Sequence, residues 1–281
     1  MNEIVKYSNE FNFLPMPKLT EREMDLFMKI ISLIQEEREI EIDGSFFIGI
    51  LGYKENLADK VKIFNSFADK ILNFNIKYKL DEKAHGFVCF ESLTFDLKTM
   101  SAKITAQKDF YELITNCQLG FTRFELLEFM DLKGKYTKVL YRLLKQFKST
   151  GIVTVFGNKW DMFCELMQIP KSYNMNDIDK QILKPAIKEL SLERNLFNKK
   201  QPIFKKLSYK KIKDHKSRGQ GGKVIGIEFY FTPIKSKQEA ELIKKPKSFK
   251  VNEAIYFETE AERIEYLANK REKVLAKKGN H

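Results

Sequence analysis

The strongest chemical signal in the sequence is a run of cations between Lys199 and Arg218. Nine Lys or Arg side chains lie in these twenty residues against one acid, Asp214, so the segment holds +8 of the chain's net charge of +12. Such a concentration of like charge favours a polyanionic partner, nucleic acid first and an anionic membrane second. The nine cations are Lys199, Lys200, Lys205, Lys206, Lys210, Lys211, Lys213, Lys216 and Arg218.

The loop at the end of this run contains Gly219, Gly221 and Gly222. Glycines let a backbone approach a phosphate or a minor groove closely. We interpret the segment as a DNA-gripping wing, with Lys206, Lys210, Lys213, Lys216 and Arg218 as candidate contacts and Lys206 and Lys210 on one side of a strand. The alternative is a solvated hairpin.

A second candidate site is the polar face of a helix predicted from Asn176 to Glu193. Its apolar residues recur at helical spacing, which leaves amides and cations on the other face. Amides can bond base edges, and cations can bond guanine or phosphate. The alternative is a solvated lysine face, but a helix that directly follows a turn favours recognition. The candidates are Asn176, Lys180, Gln181, Lys184 and Lys188.

Pro185 lies within this helix, where it removes a backbone hydrogen bond and crowds the preceding turn. It either kinks the helix or starts a new one, and both alternatives stay open.

In the first half of the chain, a helix predicted from Asn56 to Phe74 exposes Lys62, Asn65 and Ser66. This face is less basic. It contacts phosphates, or it is solvated surface next to a protein interface.

The sequence offers little for catalysis. His85, His215 and His281 are isolated, and Cys89, Cys117 and Cys164 lack metal-ligand spacing, so we expect no catalytic residues, no metal and no cofactor. Phosphate-loop and nucleophile-elbow motifs are missing as well. The odd number of cysteines, in apolar surroundings, predicts buried thiols in a reducing compartment. No apolar run is long enough to span a membrane, so we expect a cytoplasmic protein without a membrane partner.

The elements that would position these residues occur in two rounds. The first runs from a helix at Leu19–Glu37, with a capping box at Thr20 and Glu23, through a strand at 39–43 and the helix at 56–74 to strands at 75–80, 86–97 and 101–107. The second has helices at 121–130 and 136–148, a strand at 152–156, a helix from Asn158 to Met167, the candidate recognition helix, and strands at 202–213 and 224–232.

Both rounds follow the order helix, strand, helix-turn-helix, hairpin, which describes a winged helix. The predicted fold is therefore α+β, with two tandem winged-helix domains and a C-terminal charged tail. We place the first domain at 1–118 and the second, which carries the candidate recognition helix and the wing, at 119–235. Residues 236–281 form a partly helical tail that docks weakly or stays mobile.

Four segments resemble the iteron-binding plasmid replication initiators. They are Phe121–Leu127, Lys135–Phe147, the helix end at Leu166–Pro170 and, most specifically, Ile182–Leu190. The resemblance covers residues 10 to 234, strongly in the second half and in helix order only in the first.

The resemblance implies that the second domain reads the major groove of a direct repeat through Lys180, Gln181, Lys184 and Lys188. It also implies that the first domain contacts the DNA backbone and mediates dimerisation, with monomers activating an origin and dimers repressing the initiator's own promoter. Lys in place of Arg on the recognition face departs from the better guanine contact, which leaves the base-reading residues open.

The function that we predict is a plasmid replication initiator. It would bind repeated double-stranded sites at an origin, exist as monomer and dimer, and recruit host replication proteins such as a helicase or an initiator. The alternative is a winged-helix transcriptional regulator that uses the same contacts without starting replication, and a third possibility is an enzyme of unrecognised type.

Overall fold

The structure is a computed structural model that describes residues 3–52, 56–80, 83–117, 120–196, 199–214 and 222–234. By their contacts, residues fall into a large unit of residues 1–74 and 88–235 and a smaller unit that includes residues 75–87. The described residues of the smaller unit belong to a two-stranded sheet formed by the strands at 75–80 and 83–88.

The first half of the chain begins with a strand and a 3-10 helix at Asn9–Phe13, which lead into the first helix. The helices are α1 (Glu21–Ile34), α2 (Gly44–Gly52), α3 (Leu57–Leu72) and α4 (Lys108–Thr115). The strands are β1 (Ile4–Ser8), β2 (Glu39–Asp43), β3 (Asn75–Leu80), β4 (Lys83–Val88), β5 (Phe90–Asp96) and β6 (Ser101–Ala106).

The second half contains one segment of π-helix, Asp179–Leu183, between two α-helical segments. The helices are α5 (Leu126–Met130), α6 (Lys135–Gln146), α7 (Asn158–Leu166), α8 (Met175–Ile178) and α9 (Lys184–Leu190). The strands are β7 (Phe121–Glu125), β8 (Ile152–Phe156), β9 (Glu193–Leu196), β10 (Lys199–Pro202), β11 (Ser208–Lys213) and β12 (Val224–Tyr230).

The two halves repeat one sheet topology. In the first, β6 lies between β2 and β5; in the second, β12 lies between β8 and β11, and every pairing is antiparallel. Each sheet therefore joins the strand after the first helix to the last strand of the wing. This arrangement confirms the predicted α+β class with two winged helices.

Helix α1 is buried on nearly all of its sides. The apolar stripe that the helical period predicts, which includes Phe27, faces the first half. The centroid of the Phe27 ring lies 6.2 Å from that of Phe11 and 6.1 Å from that of Phe90. Leu26 and Ile30, outside that stripe, are also fully buried, because α1 contacts α5 and α6 of the second half as well. The capping box predicted at its start is present, with the Thr20 backbone N–H donating to Glu23 over 2.7 Å.

Helix α6 carries two buried cations toward the N-terminal part of the chain. The Lys138 ammonium, which has no exposed surface, donates to Asp25 of α1 over 2.6 Å and to the Phe129 carbonyl over 2.8 Å. Arg142 donates to the Tyr7 hydroxyl over 3.0 Å and to the Phe11 carbonyl over 3.2 Å. A buried charge is tolerated when its hydrogen bonds are satisfied. All of these partners except the Phe129 carbonyl come from the first half of the chain.

The helix predicted at 121–130 is wrong over its first five residues. Phe121–Glu125 is strand β7, paired antiparallel with β1, and only Leu126–Met130 is helical. Thr122 and Phe124 are buried while Phe121 and Arg123 are exposed, which is the period of a strand. The pairing partner lies at the other end of the first half, so local periodicity in this segment did not reveal it.

Other predicted elements have different bounds. Within the run at 202–213, Pro202 ends β10 and the next strand begins only at Ser208, because Ile203 and Phe204 are buried in a turn and Lys206 has a positive φ of 57°. The predicted strand at 86–97 is divided between β4 and β5. Helix α7 begins at Asn158, with Gly157 at the capping position. Helices α2 and α4 were not predicted.

The charged tail at 236–281 lies outside the described residues, and the domain boundary between residues 118 and 119 stays a prediction. In the part of the chain that the structure describes, no helix has the length and apolar character that crossing a bilayer requires.

The buried pair of Asp25 and Lys138 predicts a specific pH dependence of stability. Burial raises the pKa of Asp25 from 3.8 to about 6, against the opposing attraction of Lys138. The folded protein therefore binds this proton more tightly than the unfolded chain does. As the pH rises from about 4 to about 6, this contribution is lost and the free energy of unfolding should fall.

Asp25→Asn should remove that fall, and urea denaturation of both proteins across this pH range measures it. Glu91→Gln, which breaks the exposed ion pair between Arg38 and Glu91, serves as the control and should keep the wild-type slope. An Asp25→Asn protein with the same pH slope as the wild type would contradict the assignment.

Candidate nucleic-acid interface

Helices α8 and α9 and the π turn between them form one continuous helix with a polar outer face. Ile178, Ile182, Leu183, Ala186 and Leu190 are buried on its inner side. The outer side holds all five recognition candidates, each exposed in the structure: Asn176, Lys180, Gln181, Lys184 and Lys188. Among the described residues, none of these lysines pairs with an acid, so the face presents uncompensated positive charge.

The start of this helix is fixed by a capping box. The Asn174 side chain accepts hydrogen bonds from the backbone N–H groups of Asn176 (2.8 Å) and Asp177 (3.2 Å). In return, the Asp177 carboxylate accepts a hydrogen bond from the backbone N–H of Asn174 over 3.0 Å. These bonds satisfy N–H groups that a helix start otherwise leaves open. The helix therefore begins at Met175, one residue before the predicted start.

The π turn explains how the helix passes Pro185. The Lys184 N–H donates to the carbonyl of Asp179, five residues back, and α9 begins there with Pro185 in its first turn. A proline has no N–H and its ring would crowd the carbonyl four residues earlier in a regular helix. The wider π turn avoids that carbonyl, so Pro185 neither ends the helix nor leaves its first segment separate.

The wing is formed by β11 and β12. Lys210 is exposed on β11, with its ammonium 5.3 Å from the centre of the Tyr230 ring, and Lys213 is exposed at the end of the strand. Lys206 is exposed too, but it lies in the turn before β11, so its predicted place on a strand beside Lys210 is wrong. Lys216 and Arg218, in the glycine-containing loop, lie outside the described residues.

One buried carboxylate joins the wing to the helix. Asp179, at the first position of the π turn, accepts a hydrogen bond from the Tyr209 hydroxyl over 3.0 Å and forms an ion pair with Lys211. Burial, together with the adjacent Asp179 carboxylate, raises the pKa of Tyr209 to about 12, so Tyr209 stays a hydrogen-bond donor. Nothing close to Asp179 or Lys211 in the sequence indicates this contact, and Lys211 is one of the nine cations of the basic run without being a candidate DNA contact.

The far end of the same helix is held by the loop between α5 and α6. Glu189 accepts hydrogen bonds from the Lys133 N–H over 3.1 Å and from Arg194 over 2.6 Å. The next residue of that loop, Gly134, donates its N–H to Glu21 at the start of α1 over 2.5 Å. The helix is thus connected through this loop to the start of α1.

In the first half, α3 exposes Lys62, Asn65 and Ser66 as predicted. They line an open groove of about 590 Å³ together with Asp69 and Lys70. Lys70 is paired with Glu23 over 2.7 Å, so Lys62 and Asp69 nearly balance the remaining charge. Both interpretations of this face, phosphate contact and solvated surface, therefore stay open.

The described residues contain no group of three or more His, Cys, Asp or Glu side chains that could hold a metal ion. Cys89 is buried, Cys117 and Cys164 are half-buried, and all three are free thiols. Burial raises the pKa of Cys164 to about 11. The prediction of unpaired thiols is confirmed, and that of burial holds fully for Cys89.

Sequence comparison assigns both halves. Residues 4–145 match the family described as "Initiator Replication protein, WH1", and residues 159–231 match "Initiator Rep protein, WH2". The chain belongs to this initiator family. The two matches confirm the resemblance to the replication initiators, and the first of them extends through most of α6.

Two further proteins are similar to this initiator. A "Probable replication protein rep" of Bifidobacterium longum (strain NCC 2705) is 33% identical over 199 residues, which make up 67% of this chain and 64% of that protein. The crystal structure of the Pi initiator protein in complex with iteron DNA matches 84% of this chain and 99% of that one, with a TM-score of 0.57 and 14% identity. The latter likeness establishes the fold.

The capping box at Asn174 predicts a measurable contribution to stability. Asn174→Ala removes the acceptor for two N–H groups and should lower the free energy of unfolding by about 1 kcal/mol in chemical denaturation. Ser172→Ala, at an exposed position two residues earlier, is the matched control and should change it by much less. Equal effects of the two substitutions would show that the cap does not hold this helix start.

Proposed function

We propose that this initiator binds double-stranded DNA sequence-specifically through its second winged helix. The observation that carries the proposal is the outer face of the helix from Met175 to Leu190. There, amide and lysine side chains are exposed and lack acidic partners among the described residues, and the helix is joined through Asp179 to a basic wing strand. This arrangement supplies base-reading groups and phosphate-binding groups on adjoining elements.

The two groups would divide the work. Asn176, Lys180, Gln181, Lys184 and Lys188 would enter the major groove, where amides and cations distinguish base edges. Lys206, Lys210 and Lys213, with Lys216 and Arg218 of the adjoining loop, would contact phosphates and contribute affinity for any sequence. The excess of cations near the wing supports the second role.

We further propose that the sites are direct repeats at a plasmid origin. The Pi initiator protein, whose fold this chain shares, was crystallised with iteron DNA, which supports this choice. The first winged helix would contact the DNA backbone through Lys62, Asn65 and Ser66 and mediate dimerisation, with dimers repressing the protein's own promoter. Host replication proteins would be recruited at the opened origin, in the cytoplasm. The domains would divide near residue 118.

Footprinting on the DNA that flanks the gene tests the proposed site. Protection of several direct repeats, together with replication of a plasmid that carries only this gene and those repeats, is the expected result. Protection of a single palindrome without replication would instead indicate a transcriptional regulator. Failure to protect any sequence over competitor DNA would overturn the proposal.

The wing should contribute affinity without sequence preference. Replacing Lys213, Lys216 and Arg218 together with Ala should weaken binding to all duplexes and reduce the slope of log K against log salt by up to about 3. Fluorescence anisotropy over a salt series measures both quantities. The control variant replaces Lys98, Lys103 and Lys108, which are exposed in the first half, so that it loses the same net charge. Its slope of log K against log salt should stay near the wild-type value. An unchanged slope in the wing variant would refute the phosphate role.

The helix face should contribute discrimination. Lys184→Ala or Gln181→Ala should lower affinity for the protected repeat by about tenfold, the order expected for one base contact, and lower it much less for a scrambled duplex. Lys171→Ala, at an exposed position before the helix, is the control for loss of one surface lysine. Equal losses on both duplexes would exclude base reading by the substituted residue.

A further inference from the structure

Asp179 is a buried acid on the helix whose outer face carries the proposed DNA-binding lysines and amides. It lies between Ile178 and Lys180, at the point where the helix changes to the π turn, and its side chain is buried while Lys180 and Gln181 are exposed. An acid there would weaken DNA binding if it faced the duplex. It faces the wing instead, so its charge is used within the protein.

The partners of Asp179 both come from the inner face of β11. Side chains alternate along a strand, and the half-buried Tyr209 and Lys211 turn inward while Ser208 and Lys210 are exposed. The Tyr209 hydroxyl binds one carboxylate oxygen over 3.0 Å, and the Lys211 ammonium binds the other. Two donors on one strand therefore fix the carboxylate from one side.

The backbone of the same residue determines the shape of the helix. The Asp179 carbonyl accepts the Lys184 N–H in the π turn, and Lys184 is a central residue of the exposed face. The side chain of Asp179 thus fixes the wing strand, and its carbonyl fixes the turn that presents Lys184. A single residue connects the two elements that would contact the duplex.

We propose that Asp179 is a positioning residue for sequence recognition, which sets the wing strand against the reading helix through Lys211 and Tyr209. Lys211 is then a structural cation, whereas its neighbour Lys210 is a phosphate-binding one. This inference rests on the proposed DNA-binding function. It adds the contact that holds the base-reading helix and the phosphate-binding strand in a fixed position relative to each other.

Asp179→Asn is the most direct variant. It preserves the size of the side chain and one acceptor oxygen, but it removes the charge and leaves the Lys211 ammonium without its counter-ion. Lys211→Met removes the ammonium that pairs with Asp179 and keeps an unbranched side chain of similar length. Lys210→Met, one residue away on the outer face, is the matched control because it removes the same charge without touching Asp179.

The probe is a duplex enriched from a random-sequence library by repeated selection with the wild-type protein, compared with a duplex of the same composition in scrambled order. Asp179→Asn and Lys211→Met should each lower affinity for the enriched duplex by about tenfold, as for one misplaced base contact. Asp179→Asn should leave affinity for the scrambled duplex unchanged or higher, since Lys211 is released. Lys210→Met should weaken both duplexes alike and lower the salt slope by about 1.

A purely structural role would give a different pattern. If Asp179→Asn unfolded the second winged helix, both affinities would fall together, and circular dichroism would show the loss of structure. Tyr209→Phe is a milder variant that keeps the ion pair and removes one hydrogen bond, and it should reduce discrimination by less than Asp179→Asn does while the protein stays folded.

The outcomes separate this inference from the function on which it rests. A wild-type protein that enriches no sequence overturns both. A wild-type protein that enriches a sequence, with Asp179→Asn and Tyr209→Phe retaining its full discrimination, overturns the positioning role and leaves DNA binding in place. Equal loss on both duplexes in a folded Tyr209→Phe protein also overturns it.

Discussion

The structure depends on the burial of two cations of α6, Lys138 and Arg142. Removing a charge from water costs several kcal/mol unless hydrogen bonds replace the hydration. Here Asp25 of α1 and the residues around Tyr7 and Phe11 supply those bonds. The charges of α6 are therefore satisfied by the N-terminal part of the chain, within the segment that matches the first initiator winged helix.

The same kind of interaction fixes the surface that we propose contacts DNA. The loop between α5 and α6 donates one backbone N–H to Glu21 of α1 and another to Glu189, near the end of the helix from Met175 to Leu190. Asp179 holds the first half of that helix against the wing. The helix is thus held near both ends by buried or half-buried acids that bind other parts of the protein. Acids positioned inside and cations outside give the surface its excess positive charge without loss of rigidity.

Local sequence patterns predicted much of this fold. The capping box at Thr20 and the apolar period after it identified α1, and the amide and lysine residues between Asn176 and Lys188 were correctly assigned to the exposed side of a helix. Such signals act within a few residues, where periodicity and capping chemistry are informative.

The contacts that were not predicted are those between distant segments. The segment of strand β7 is predicted as a helix because local periodicity does not show its pairing with β1, which lies at the start of the chain. Lys211 belongs to the basic run by its charge, but nothing near it in sequence indicates its pairing with Asp179. Pro185 was ambiguous because the π turn that accommodates it depends on a backbone bond between Asp179 and Lys184. Charge counts give the excess of cations, but only the tertiary contacts show which of them remain available to DNA.

The central claim is that the reading helix and the wing contact one stretch of duplex. Photo-crosslinking tests it directly, with a benzophenone amino acid placed at position 184 in one variant and at position 210 in another, on DNA that contains the protected repeats. The account predicts that both positions crosslink within the same repeat, less than one helical turn of about 34 Å apart. Crosslinks in different repeats, or a reaction at position 210 but never at position 184, would contradict it.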